Sequence, residues 1–417
     1  MQKSQSTQWF LNGWLIGGLV GGLVLALYGL HWKSVGNFVI SIDQCDVLFC
    51  DFYRHFYPMG RELFTSFRPV QGFFYSPLAA LLFSWSATVS SREALVIWSA
   101  VQAAGVAGLY LIPMVCLAGR GRAWQVLYSL IYLTSFPLLH NLKWGQVSVI
   151  VTLLILAALV LYDRGQPAWS AAVLALAIAA KYYPAIFLVY FLFRRDLRYL
   201  VTCSMFSGIL LFVLPVLLLG FEHTLEFYRL ISAASARALE TWMRQDLNTQ
   251  YIARVADRLL SGKQAPALEA GFGWLGLLVS GLNITLLWAV IRSGRERMTY
   301  WAWSLLFSTL PFWLATSWPH YFVFLPISQV FLLVETVQSD AATWKKAGLA
   351  ILISCSSLFS STMTFIWIGR WQDYSSRGFL FFANALLILA MIALLNLKGG
   401  LRLWPAGLLP KPPRRMA

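Results

Sequence analysis

Three acids, Asp43, Asp46 and Asp51, stand close together in SIDQCDVLFCDFYRHFYPMGRELFTSFRPVQGFFYSPLAALL (41–82), a stretch bounded on both sides by apolar sequence. A carboxylate among apolar residues must be paired or solvated. If it stays ionised within reach of a hydroxyl, it can act as a general base. Asp43 and Asp46 read as solvated acids of a wet loop. Asp51 is set apart by the residues C-terminal to it, an amphipathic aromatic run and then Tyr75-Ser76-Pro77. Other chemistry-bearing residues come in short clusters: His140, Asn141, Lys143, Trp144 and Gln146; Lys181, Tyr182 and Tyr183; Asn248 and Gln250; and Ser317, Trp318, His320 and Tyr321. Lys181 lies in Ala-Ala-Lys-Tyr-Tyr-Pro, at membrane depth. It either snorkels to the interface or meets a fixed anion such as a lipid phosphate, and position alone leaves both readings open. His320 has the same two sides, an anion ligand or a histidine bridging two helices.

The elements that must position these residues are membrane helices. Hydrophobic residues make up 59% of the 417 and charged residues 12%, against roughly half and a quarter in a soluble domain. The apolar residues come in blocks of about 20, the length that crosses a bilayer core. Spans are expected near 10–30, 93–117, 124–140, 147–162, 168–180, 183–193, 199–220, 271–291, 299–316, 321–336, 347–366 and 378–396, giving an all-α polytopic membrane protein of about twelve transmembrane helices. No basic region precedes the first block and no small-residue cleavage site succeeds it, so it reads as a retained helix. The apolar segment 75–89 is short and reads as a dip into the outer leaflet. With that choice and an inner N-terminus, inner segments carry 17 basic and 5 acidic residues and outer segments 15 and 12, as the positive-inside rule requires. The net charge of +15 therefore points to a membrane face and not to nucleic acid.

Two outer loops are long. The first, 31–92, holds an amphipathic helix at 52–66. The second, 221–270, alternates acids and bases and reads as wet helices on the membrane surface. One membrane-embedded domain, 1–397, precedes a basic, Pro-rich cytoplasmic tail, 398–417. Cys45 and Cys50 share the first loop, where two free thiols are favoured over a disulfide. No Cys/His spacing of a zinc site occurs, and no metal is required, although the three aspartates could in principle share a cation. A Gly-rich phosphate loop and a soluble nucleotide-binding domain are both missing.

Under this topology all the clusters fall on the outer face, which suggests one site at the water–lipid boundary. Their order resembles glycosyltransferase family 87, of the C-type membrane glycosyltransferases. Asp51-Phe52-Tyr53 looks like the family's Asp-Phe element. Tyr75-Ser76-Pro77-Leu78 looks like Tyr-Pro-Pro-Leu, with serine replacing one proline. Trp144-Gly145-Gln146-Val147 is similar to its Gly-Gln-Val/Ile element, where asparagine is commoner than Trp144. Arg164-Gly165 through Lys181-Tyr182-Tyr183-Pro184 is similar to its Arg-Gly…Lys-x-x-Pro segment, and Ser317-Trp318-Pro319-His320-Tyr321 to its Ser-Trp-x-His turn.

The resemblance implies a C-type architecture and a hexosyltransferase that uses a polyprenyl-phosphate sugar, mannose in its best-known members, at the outer face of a bacterial cytoplasmic membrane. The acceptor would be a hydroxyl of a glycolipid or glycan, with membrane lipid as surroundings and no cofactor. Asp51 would be the general base of an inverting displacement. Lys181 and His320 would stabilise the leaving phosphate, and Tyr75, Trp144, Gln146, Tyr182, Asn248 and Gln250 would line the substrate site. The competing classes are another C-type transferase (arabinosyl, glucosyl or a ligase), a transporter or flippase of lipid-linked sugar, and a structural membrane subunit. A transporter should bind near the midplane between repeated halves, and no such repeat occurs.

Overall fold

Where the sequence breaks its apolar runs, the chain folds into pairs of short helices and not into long rods. The computed structural model describes residues 2–40, 48–260, 266–294 and 298–397. Asp43, Cys45, Asp46 and the tail 398–417 lie outside the described residues. The described chain is all-helical, 83% helix and without a strand. Among the described residues, six helices are long and apolar enough to cross a membrane: Asn12–Leu30, Ser91–Ala118, Leu197–Leu219, Glu269–Arg292, Pro319–Val337 and Phe379–Leu397. Each coincides with an expected span.

The other expected spans are shorter or divided. The run 124–140 is two helices, Arg122–Leu133 and Phe136–Trp144, and 347–366 is likewise Thr343–Phe359 and Thr362–Ile368. The two breaks lie side by side. Phe136 donates its backbone N–H to Ser360 O at 2.9 Å, and Thr362 donates to Thr134 O at 2.7 Å. A break frees backbone groups that hydrocarbon cannot solvate, and here each break satisfies the other. Pro137 starts the second half of the first pair, where its missing N–H costs nothing. Pro311 likewise opens Leu310–Trp313 after Met298–Ser308, dividing the span expected at 299–316. The span expected at 183–193 begins as a 3-10 turn, Tyr183–Phe187.

The first long loop is well packed. The amphipathic helix expected at 52–66 is a π-helical turn, Phe52–Phe56, that runs into the α-helix Tyr57–Ser66. The segment 75–89 forms Pro77–Leu82 and a 3-10 turn, Ser84–Thr88, both too short to span. Gly60 lets these approach: a Cβ there would collide with Phe83 O. Cys50 is disulfide-bonded, which corrects the expectation of free thiols. The second loop contains Phe221–Glu240 and Ile252–Leu260. Its end is tied down by Gln250 N–H to Ser317 O at 2.8 Å and by Thr249 Oγ1 to Ala315 O at 2.7 Å.

Candidate active site

Asp51 stands at the entrance to the π-helical turn. Such turns carry one extra residue and recur at functional sites. Aromatic packing holds this one: Phe52 stacks on Trp98 with centroids 5.3 Å apart, and Phe56 on Phe83 at 4.7 Å. The preceding Phe49 is buried with φ 61°, a left-handed conformation that an L side chain adopts only at a cost. It lies against Gly145, also left-handed at φ 65°, where an added Cβ would meet Phe49 Cβ at 2.7 Å and Phe52 Cβ at 3.2 Å. The glycine ends the helix Phe136–Trp144 and lets the Asp51 loop lie directly on the turn that carries Gln146.

Gln146 is the hub. Its amide nitrogen donates to Asp51 Oδ2, and its amide oxygen accepts the Tyr75 hydroxyl at 2.8 Å. That orientation is forced, because a carboxylate only accepts while Tyr75 donates. The backbone around Gln146 is fixed by Gln102, which donates to Gln146 O at 2.9 Å and accepts from Asn141 Nδ2 at 2.9 Å. Trp98 Nε1 donates to Gly145 O at 3.1 Å. Asp51 is half-buried. Burial holds its carboxyl above the usual aspartate range, and His55, the Gln146 hydrogen bond, Lys181 and Arg54 pull it back down.

Tyr75 leads from Asp51 to Lys181. Ser76 accepts the Ala79 N–H at the start of Pro77–Leu82 and donates to Ala179 O at 2.5 Å. A proline could not make that second bond, so the serine that departs from the family pattern ties this helix to the chain just before Lys181. Lys181 ends the helix Pro167–Ala180 in extended conformation and is 8% exposed. Its ammonium donates to Ser148 Oγ at 3.2 Å and lies 4.0, 5.5 and 6.0 Å from the rings of Tyr321, Tyr75 and Tyr183. Among the described residues it makes no ion pair. Burial disfavours the charged form of this lysine, while Asp51 and the tyrosine faces favour it.

His320 lies next to Tyr321 in the 3-10 turn Pro319–Phe322, and its ring is 5.4 Å from that of His140. Trp144 is half-buried, 6.0 Å from the His140 ring, with a buried Nε1 that has no partner. The structure thus brings Asp51, Gln146, Tyr75, Lys181, His320 and Trp144 into one chain of contacts. The remaining three residues are placed otherwise. Tyr182 is exposed beside the buried Lys181. Gln250 spends its side chain on Asn248 O, Ser375 O and the Phe381 N–H. Asn248 sits beside Asp246, which accepts Trp318 Nε1 at 2.5 Å. Sequence reasoning passed over Gln102 and Ser148. Gln102 had a signal, a lone amide inside an apolar helix; Ser148 had none. No group of three or more metal-ligating side chains occurs among the described residues.

Two known proteins are similar to this chain. A polyprenol-phosphate-mannose-dependent alpha-(1-2)-phosphatidylinositol mannoside mannosyltransferase of Mycobacterium tuberculosis is 26% identical over 96% of this chain and 94% of its own length. A protein of the same description from Mycolicibacterium smegmatis is 31% identical over 40% of this chain and 42% of its own. The model of glycosyltransferase family 87 matches residues 73–317, more than half of the chain; Asp51 and His320 lie outside the matched segment. The chain is a membrane glycosyltransferase and belongs to glycosyltransferase family 87.

Proposed function

We propose that this enzyme transfers mannose from a polyprenyl-phosphate mannose to a hydroxyl of a glycolipid at the outer face of the cytoplasmic membrane. The observation that carries the reading is the contact chain Asp51–Gln146–Tyr75–Lys181, which sets a carboxylate and an unneutralised ammonium at two ends of one polar cluster. Asp51 takes the proton of the acceptor hydroxyl as its oxygen bonds to the anomeric carbon. The bond from that carbon to the phosphate oxygen breaks, and its electron pair stays on the phosphate, where Lys181 and His320 stabilise the added charge. A single displacement inverts the anomeric centre. Tyr75 and Gln146 hold the base, Trp144 bounds the substrate site, and Gln250 pins the second loop.

Twelve crossings with both termini inside, in the C-type arrangement, accompany this reading. The divided helices pair into the shorter crossings. The charge asymmetry supports the outer location of loops 31–92 and 221–270, and so does the disulfide at Cys50, since such bonds persist in oxidising compartments. The mannosyl donor is supported by the activity for which the two relatives are named. Purified protein given synthetic polyprenyl-phosphate mannose and a mannosylated glycolipid should release polyprenyl phosphate and extend the acceptor. Movement of intact donor across a vesicle membrane without transfer would reveal a flippase instead.

A further inference from the structure

His140 and His320 come from different segments, the helix Phe136–Trp144 and the turn Pro319–Phe322, and both are 3% exposed. Their rings lie 5.4 Å apart at 33°, and none of the four ring nitrogens has a hydrogen-bond partner among the described residues. Around His140 stand the rings of Phe38, Phe136 and Trp144, which supply no hydrogen-bond acceptor. A buried polar group without a partner destabilises the fold, and an apolar side chain of the same shape there would be neutral or better. Two such groups face each other, so the pair has unspent capacity to hold a ligand.

Imidazole nitrogens serve either a cation, through a lone pair, or an anion, through N–H. The neighbourhood decides between them. Tyr321 packs on the His320 ring with centroids 4.9 Å apart, and the Lys181 ammonium lies 4.0 Å from the centroid of that same tyrosine ring. An unneutralised ammonium repels a metal cation and attracts an oxyanion, and no third metal ligand joins the pair among the described residues. We infer that His140 is a second N–H donor to the phosphate of the lipid-linked sugar, closing with His320 and Lys181 a three-sided oxyanion cradle. This rests on the donor reading above and deepens it. A phosphodiester carries one charge and the phosphate left after transfer up to two, so the cradle binds the leaving group more strongly than the donor, as transition-state stabilisation requires.

The test uses His140→Phe, which fits the aromatic surroundings, and His140→Gln, which returns one N–H. Equilibrium binding of a short-chain polyprenyl phosphate to the purified protein is measured beside the melting temperature. The cradle predicts that His140→Phe melts at or above the wild-type temperature but binds the probe roughly ten- to a hundred-fold more weakly, with His140→Gln between. Unchanged binding in His140→Phe, while Lys181→Ala weakens it, removes His140 from the cradle and leaves the donor reading standing. Failure of the wild type to bind the probe overturns the donor reading itself. A clear drop in melting temperature for His140→Phe makes the histidine a packing residue. Stabilisation of the wild type, but not of His140→Phe, by micromolar zinc makes the pair a metal site.

Discussion

The Lys181 ammonium rests 4.0 Å from the ring centroid of Tyr321 and donates to a serine, with no carboxylate paired to it among the described residues. A buried cation held by rings and a hydroxyl is stabilised yet not neutralised, which suits it to a ligand that brings its own negative charge.

Lys181→Ala should therefore raise the apparent KM for the lipid-linked donor, by the ten-fold or more that loss of a hydrogen bond to a charged group entails (about 1.5–3 kcal/mol). Lys181→Arg keeps the charge but changes its geometry and should recover part of the loss. Donor kinetics of the two variants decide the matter; wild-type values for Lys181→Ala would leave the lysine a membrane anchor.

Asp51→Asn should retain donor binding and lose turnover by roughly 10²–10⁴-fold, the usual share of a general base. Asp51→Glu should also be slow, because its longer arm displaces the base from the acceptor proton. Single-turnover transfer, with binding of polyprenyl phosphate as the control for folding, measures both. Near-normal turnover in Asp51→Asn would move the base elsewhere.

The pH profile is set by the burial of Asp51. A base must be deprotonated to act, and burial raises this carboxyl, so kcat/KM should fall on the acid side with a midpoint above the ordinary aspartate range. Gln146 hydrogen-bonds the charged form and lowers the midpoint. Gln146→Leu removes that bond, so its acid limb should move to higher pH. A limb that moves to lower pH, or not at all, contradicts the assigned pairing.

Gly145→Ala tests the seating of the loop. The left-handed backbone costs an alanine about 1–2 kcal/mol, and its Cβ would meet Phe49 at 2.7 Å. The variant should lose turnover more than donor binding, since Lys181 is held by a different element. Equal loss of both would mean that the whole site has shifted.

Ser66 and Ser293 are both exposed, so a cysteine at either can be labelled and only the side of the membrane is read. In a background without Cys116, an impermeant reagent added to intact cells should modify the 66 position and spare the 293 position. The reverse pattern overturns the topology.

How much of this was legible in the sequence differs by element. The six long spans were, because an uninterrupted apolar block of that length has few other fates. The breaks at Ser135 and Ser361 were not: each is tolerable only because the other lies beside it, and a partner more than 200 residues away leaves no local pattern. Asp51, Lys181 and His320 stood out as polar groups in apolar surroundings. The hub role of Gln146 did not, since it depends on Phe49 and Gly145 meeting in left-handed conformations, which is a tertiary contact. Gln250, expected to line the substrate site, spends its side chain on three backbone groups; composition cannot separate an amide that waits for a substrate from one that pins a chain. Cys50 was misjudged because spacing does not report oxidation state.

The Gln102 amide has a consequence for how the protein is made. It sits inside the helix Ser91–Ala118, whereas both its partners, Asn141 and Gln146, belong to chain synthesised later. During insertion this helix must carry an unsatisfied amide in hydrocarbon, a cost of several kcal/mol, until the Phe136–Trp144 segment arrives to receive it. The Phe136–Trp144 segment is thereby drawn to the helix Ser91–Ala118, and the turn that bears Gln146 comes with it. Gln102→Leu should insert more readily in a translocon assay of the isolated helix, yet yield full-length protein in which the Gln146 turn is loosely held and transfer is slow. Equal insertion of the two helices would dissociate the amide from assembly order.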